Sequence, residues 1–296
     1  MRGRIIFFTL FVLASFTGFA QTDSLKQRID EIVKNKKATV GVGILGIEND
    51  FSLSYNTGKH FPMQSVFKFH IALAVLNLVD EGKLSLDQKI HIKKSQLRPK
   101  TWSPIRDKYP QGNIRLPLSE ILKYTVSQSD NNGCDILLKL IGGTKKIQKF
   151  LNSKGMEGFN ICANEEEMSR DWNVQYKNWS TPESAAALLK AFYHKKLLAP
   201  ATNNFLWKVM VETSTGEKRL KGNLPEGTQV AHKTGTSGEG EKGIAAATND
   251  IGIITLPNGS HFAIAVFVSD SSENNETNEK IIAEIAKTVW DYFINK

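Results

Sequence analysis

Three short groups of residues carry side chains that can do chemistry together. Ser65-Val66-Phe67-Lys68 places a hydroxyl and an amine three residues apart, on one face of a helix. A serine hydroxyl is a poor nucleophile until a neighbouring base takes its proton. A lysine in a partly apolar site can be that base, because desolvation lowers its pKa. With 21 serines and 30 lysines in the chain, that spacing alone recurs about twice by chance. Ser129-Asp130-Asn131 and Lys233-Thr234-Gly235 are rarer, with about 0.06 and about 0.14 chance occurrences at this composition. All three, each once and in this order, have a chance probability under about one percent.

The elements that must hold these groups are legible in the hydropathy pattern. Ser65 opens an apolar run, Phe69 to Val79, which predicts a helix buried on nearly all sides and ended by Gly82. Ser129-Asp130-Asn131 falls between helical segments, and Lys233-Thr234-Gly235 falls in a strand leading into Thr236. Asp23 or Ser24 caps a first helix, with Leu25, Ile29, Ile32 and Val33 at helical spacing. Strands are expected at Thr39 to Ile47 and Phe51 to Tyr55, joined by an Asn49-Asp50 turn. Strand character returns at Thr228 to Thr236, Gly243 to Leu256 and His261 to Val268. A hairpin signal, Pro257-Asn258-Gly259-Ser260, separates the last two. A final amphipathic helix starts near Glu276, with Ile281, Ile285, Val289 and Phe293 on one side. The order predicts an α+β fold: one antiparallel sheet built from both ends of the chain, terminal helices on a face, and a helical middle as a second lobe. The α/β lobe is expected over about 21–64 and 205–296, and the all-α lobe over about 65–204. A cleft between two lobes is a usual place for a small-molecule site.

Length and charge narrow the partners. The 296 residues form one large unit, and average apolar and charged fractions exclude disorder and disulfide scaffolds. Residues 1–20 read as a cleaved secretory signal: Arg2 and Arg4, the apolar stretch Ile5 to Phe16, then Gly18-Phe19-Ala20. That stretch is too short to span a bilayer, and no cysteine follows Ala20 to carry a lipid. The mature charge is 38−2−30, or +6, without a run of five Lys or Arg. A solvated surface explains it, and nucleic acid is not the expected partner. Six dispersed histidines form no metal-ligand spacing, so no metal is expected. No phosphate loop or GxSxG elbow occurs, and no cofactor is expected. His232 should point to the sheet face opposite Lys233, and His70 should be a satisfied core residue. Cys134 and Cys162 are expected to be buried, unpaired thiols.

The ordered motifs resemble those of class A β-lactamases and penicillin-binding proteins. That resemblance covers essentially the whole mature chain, and it implies a catalytic domain over 21–296 with its site between the lobes. It implies Ser65 as nucleophile, and Lys68, or a glutamate acting through water, as its base. Ser129 would relay a proton to the departing lactam nitrogen. Asn131 would meet the substrate's side-chain carbonyl, and the N–H groups of Ser65 and Thr236 would form the oxyanion hole. Lys233, Thr234 and Thr236 would face the substrate carboxylate, with Gly235 completing that motif. Within Ala163-Asn164-Glu165-Glu166-Glu167-Met168-Ser169, the apolar Met168 selects Glu165 as the base that activates water. Glu166 is the other register, and Ser169 stands where the family commonly has Asn. Asp135 is expected to brace this loop. Trp102 aligns with an aromatic wall at the cleft mouth, a packing role being the other reading. Lys242 stands where many relatives carry an arginine for the carboxylate. Ser237 with Gly238-Glu239-Gly240 suggests a cleft edge that admits bulky cephalosporins, as in the extended-spectrum branch. The implied activity is β-lactam hydrolysis by a secreted, periplasmic monomer without a membrane anchor. A soluble D,D-peptidase and a β-lactam sensor domain are the alternatives; a sensor needs a membrane-spanning signalling element, which this sequence lacks.

Overall fold

The computed structural model describes residues 22–240 and 242–295. The expected signal segment, 1–20, lies outside them. A helix over 22–33 (α1) leads into strands β1 (Thr39–Gly46), β2 (Ser52–Tyr55) and β3 (Phe61–Pro62). Next come α2 (Phe67–Asp80), β4 (Lys89–Ile92), α3 (Pro104–Lys108), β5 (Ile114–Pro117), α4 (Leu118–Ser127), α5 (Asn131–Ile141) and α6 (Thr144–Ser153). Then follow β6 (Phe159–Asn160), α7 (Glu165–Arg170), β7 (Trp179–Ser180), α8 (Pro182–Tyr193) and α9 (Pro200–Val211). The chain ends with β8 (Val230–Thr236), β9 (Ala245–Thr255), β10 (His261–Ser271) and α10 (Asn275–Ile294).

Strands from both ends of the chain share one antiparallel sheet, in the order β2-β1-β10-β9-β8. Alternation along β1 assigns its faces. Val40, Val42 and Ile44 pack with Leu25 and Ile29 of α1 and Ile281, Ile285 and Val289 of α10. Gly43 faces the other way, where an added Cβ would lie 2.2 Å from the Pro182 carbonyl oxygen, so α8 lies directly on the sheet. The expected helical middle is therefore not all helix. It holds the β4-β5 ribbon and strands β6 and β7, which form a three-stranded sheet with the preceding β3, and α8 packs on the sheet of the other lobe. The two-residue strands β3, β6 and β7 carry no periodicity, which is why the sequence pattern passes over them.

The helix α2 is the axis of the molecule. Phe67 through Leu76 are all buried, as the apolar run predicts. An α-helix has room for such a run only where other elements surround it. Here α4, α5, α6 and α9 do so, which fixes Ser65 and Lys68 at a helix start that cannot rotate.

Candidate active site

Ser65 sits in the 3-10 turn Gln64–Val66 that leads into α2, and Lys68 lies one turn further on. Gln64, just before the nucleophile, holds φ at 46°, a strained conformation for a non-glycine residue. It bonds to buried Gln175, which keeps it there. Ser129 also has positive φ, 59°. Its neighbour Asp130 anchors that turn by accepting from the N–H groups of Gly133 and Ile105, each at 2.7 Å, and from the Ser103 hydroxyl. Burial pushes the Asp130 carboxyl up, and these donors oppose it. Strain of this kind persists only where the surroundings over-determine it, and it clusters at functional sites.

The third motif reaches the first by close backbone approach. A Cβ at Gly235 would lie 2.4 Å from the Met63 carbonyl oxygen, so only glycine lets β8 lie against the turn bearing Ser65. Asn249 of β9 secures the same turn, its Nδ2 donating to the Pro62 carbonyl at 2.8 Å.

These placements bring five of the expected residues around two buried ammonium groups. Lys68 Nζ lies 2.8 Å from Ser65 Oγ, 2.8 Å from the Ser129 carbonyl and 2.9 Å from Glu165 Oε1, and it also donates to Asn131 Oδ1. Lys233 Nζ donates to Ser129 Oγ at 3.0 Å and to its neighbour's carbonyl, Thr234 O, at 2.9 Å. Ser129 thus joins the two lysines, through its carbonyl to one and its hydroxyl to the other. Burial, then the charge of Lys68, holds the Lys233 amine well below the usual lysine range.

The acidic segment places Glu165 and Glu166 differently. Glu165 is buried against Lys68, whereas Glu166 is half-buried and pairs with Arg170. Met168 is buried, as its position in the segment predicts. Asp135 accepts from the N–H groups of Glu165 (2.9 Å) and Glu166 (3.1 Å) and pairs with Arg98 at 3.0 Å, which makes it the expected brace. Ser169 turns its hydroxyl to the Glu166 carbonyl at 2.7 Å.

Burial is the main cause that pushes the Asp135 carboxyl up to about 6 from 3.8. The folded form therefore holds its proton more tightly than the unfolded chain, so ionising Asp135 costs folding free energy. Stability from this group falls as pH rises from about 4 to about 6, by roughly 3 kcal/mol at most. Asp135→Asn should flatten the melting-temperature profile across that window. Equal slopes for the two proteins would remove Asp135 as the titrating group.

A cavity of about 230 Å³ opens over this cluster, lined by Ser65, Trp102, Ser129, Asn131, Thr215, Gly216, Arg219, Thr234 and Thr236. Trp102 is 60% exposed, lines this cavity and is anchored by Nε1 donating to the Gln128 carbonyl at 2.8 Å. A larger cavity, about 500 Å³, lies beside Asp135, Glu166 and Glu167, but no paired nucleophile and base line it.

Two expectations need correction. Lys242 is exposed and does not line the catalytic cavity. The cation beside the Lys233-Thr234-Gly235 strand is Arg219, which sequence reasoning missed. Its guanidinium donates to the carbonyls of Gly235 (3.1 Å) and Asn249 (3.0 Å) and to Thr236 Oγ1 (2.8 Å), and it pairs with Glu279 at 3.2 Å. Arg219 comes from the irregular segment between α9 and β8, which has no periodicity to read. Thr215, from the same segment, bonds to Thr234 Oγ1 at 2.6 Å. Second, Cys134 is buried and Cys162 is exposed, both unpaired, so only one of the two thiols is in the core.

The histidines divide as well. His232 does lie opposite Lys233, sealed in the sheet with its Nδ1 3.0 Å from Asp250. His70 is buried among Phe69 and Phe159, and burial lowers its pKa to about 4, so it is a neutral core residue at pH 7. A hydrogen bond between the ring and the Val66 backbone opposes that shift.

An antiparallel sheet flanked by helices, with a serine hydroxyl against a buried lysine and a second serine between two lysines, defines a serine acyl-transfer enzyme of the β-lactamase type. Comparison with known proteins agrees. The model of the "Beta-lactamase enzyme family" matches residues 24–293. The chain is 55% identical to β-lactamase VEB-1 of Pseudomonas aeruginosa over 279 residues, covering 94% of this chain and 93% of that one. It is 46% identical to extended-spectrum β-lactamase PER-1 of the same organism, over 96% of this chain and 93% of that one. The solved structure of TLA-1 extended-spectrum β-lactamase superposes with a TM-score of 0.91 at 59% identity, covering 93% and 99% of the two chains. The chain belongs to the β-lactamase enzyme family, class A, and is a hydrolase that opens the β-lactam ring and so confers antibiotic resistance.

Proposed function

We propose that the chain hydrolyses penicillins and cephalosporins, extended-spectrum cephalosporins included, through an acyl-enzyme on Ser65. The observation that carries this reading is the 2.8 Å contact between Ser65 Oγ and a buried Lys68 that also pairs with Glu165. The Ser65 oxygen attacks the lactam carbonyl while its proton passes to Lys68, once that amine has given up a proton to Glu165, or passes directly through a water to Glu165. The N–H groups of Ser65 and Thr236 meet the developing oxyanion, each such donor contributing about 3 kcal/mol to barrier lowering. Ser129, in contact with Lys233, delivers a proton to the departing nitrogen, for which its hydroxyl both donates and accepts. Glu165 then activates the water that releases the product, and Asp135 holds the backbone of that loop.

The anionic end of the substrate falls to Lys233, Thr234, Thr236 and Arg219, with Asn131 and Trp102 along the opposite wall. Arg219→Ala should raise KM about 10- to 100-fold, the loss of a charge-assisted bond. Lys242→Ala should leave KM within about twofold. Reversed effects would return the carboxylate to Lys242. The enzyme works as a periplasmic or secreted monomer with residues 1–20 removed, in two lobes that share the cleft. No helix among the described residues is long and apolar enough to cross a membrane. Rapid mixing with a chromogenic cephalosporin tests the reading. Sustained turnover is expected, and a single stoichiometric burst would assign the chain to the penicillin-binding proteins instead.

A further inference from the structure

Two polar side chains of the sheet have no part in the chemistry above, and both are fully buried: His232 of β8 and Asp250 of β9. A carboxylate loses the stabilisation of water on burial, so it needs partners that hold its charge. Here they are built in. His232 Nδ1 lies 3.0 Å from both oxygens of Asp250, and the Leu220 N–H donates to Oδ2 at 3.3 Å. β9 makes room for the ring: a Cβ on Gly252, which pairs with His232, would lie 2.8 Å from His232 Cβ. His232 Nε2 has no hydrogen-bond partner among the described residues. A neutral ring with its proton on Nδ1 fits that arrangement, because an imidazolium would bury a second N–H unpaired. The pair then carries one net negative charge inside the sheet.

That charge lies behind the two cations that face the substrate carboxylate. Asp250 pairs across the ladder with Thr234, the residue after Lys233. Its neighbour Asn249 gives its carbonyl to Arg219 at 3.0 Å, and Leu220 follows Arg219 directly. Lys233 is itself buried, and it donates only to uncharged groups, Ser129 Oγ and the Thr234 carbonyl. Burial, then Lys68 and Arg219, favour loss of its proton, whereas Asp250 and Glu165 favour its retention. Glu165 is already paired with Lys68 at 2.9 Å. Asp250 makes no ion pair with a lysine or arginine among the described residues; its partner is His232.

We propose that Asp250, oriented by His232, is a positioning residue for substrate binding: its buried charge keeps Lys233 an ammonium ion, ready for the carboxylate of the β-lactam. This deepens the reading above, in which Lys233 meets that carboxylate, and rests on it. Asp250 touches no substrate. It acts through the interior of the sheet, where charges are weakly screened.

The test is the pH dependence of kcat/KM for a β-lactam with a free carboxylate, which reports groups of the free enzyme. Asp250→Asn keeps the shape and removes the charge. Its alkaline limb should move about one pH unit lower, so that kcat/KM drops about tenfold above the limb and stays within about twofold below it. His232→Gln removes the ring that orients the carboxylate and should move the limb the same way; it carries the test if the asparagine variant does not fold. In a Lys233→Arg background the side chain cannot lose its proton, so adding Asp250→Asn should leave the limb in place. A loss of equal size at every pH, an unmoved limb, or the same shift in the Lys233→Arg background would overturn the proposal. The unmodified enzyme is run beside them. If it does not turn over the β-lactam, the acyl-enzyme reading fails and this one fails with it; normal turnover confines any failure to Asp250.

Discussion

Glu165→Ala should stall the enzyme after acylation, with steady-state turnover falling by about 10²- to 10⁴-fold, the range for loss of a positioned general base. The physical reason lies in what the carboxylate touches. Glu165 is buried, its Oε1 2.9 Å from Lys68 Nζ, and its backbone is clamped by Asp135. Removing it leaves Lys68 in contact with Ser65, so the nucleophile keeps a base while the hydrolytic water loses one. Acylation therefore survives better than deacylation. Stopped-flow mixing with a chromogenic cephalosporin should show a burst of one equivalent and then a slow phase. Glu166→Ala should behave as the unmodified enzyme, because the carboxylate against Lys68 is that of Glu165 and Glu166 is half-buried and engaged with Arg170. A stall in that variant instead would shift the register by one residue.

Lys68→Ala is expected to damage both chemistry and folding. The ammonium is buried and surrounded by Ser65, the Ser129 carbonyl, Asn131 and Glu165. Its loss leaves Glu165 with an uncompensated charge in the protein interior, which costs about 3–5 kcal/mol. The acylation rate should fall by about 10²- to 10⁴-fold through loss of the base next to Ser65. Denaturant unfolding and the burst rate measure the two effects separately. A double variant, Lys68→Ala with Glu165→Gln, should recover much of the stability and none of the acylation. If stability is not recovered, the cost lies in the cavity rather than in the buried charge.

The sheet and the buried helix were legible because their residues repeat with a physical period. Val40, Val42 and Ile44 alternate, and Phe69 to Val79 is apolar nearly all round, so burial as far as Leu76 follows from pattern. Asp135 was legible for a similar reason: a spacing of four from Asn131 puts it on the same face of α5. Arg219 was not. Its place is set by a segment without periodicity, and by carbonyls of β8 and β9 that only the folded sheet brings together. Lys242 had the right charge and the wrong neighbourhood, since the β8–β9 turn carries it out to solvent. The strained backbone at Gln64 and Ser129 was equally hidden, because neither residue type announces a positive φ. The three-stranded sheet β3-β7-β6 escaped because a pairing of two residues, such as Phe61 with Ser180, leaves no trace in hydropathy.

Catalysis turns on one covalent bond, from Ser65 to the opened lactam. Rapid quenching with a β-lactam, proteolysis and mass spectrometry would locate it. The expected result is an adduct of the whole opened β-lactam on the peptide containing Ser65, transient in the unmodified enzyme and lasting in Glu165→Ala. An adduct on any other residue, or one that decays as fast in Glu165→Ala as in the unmodified enzyme, would contradict it.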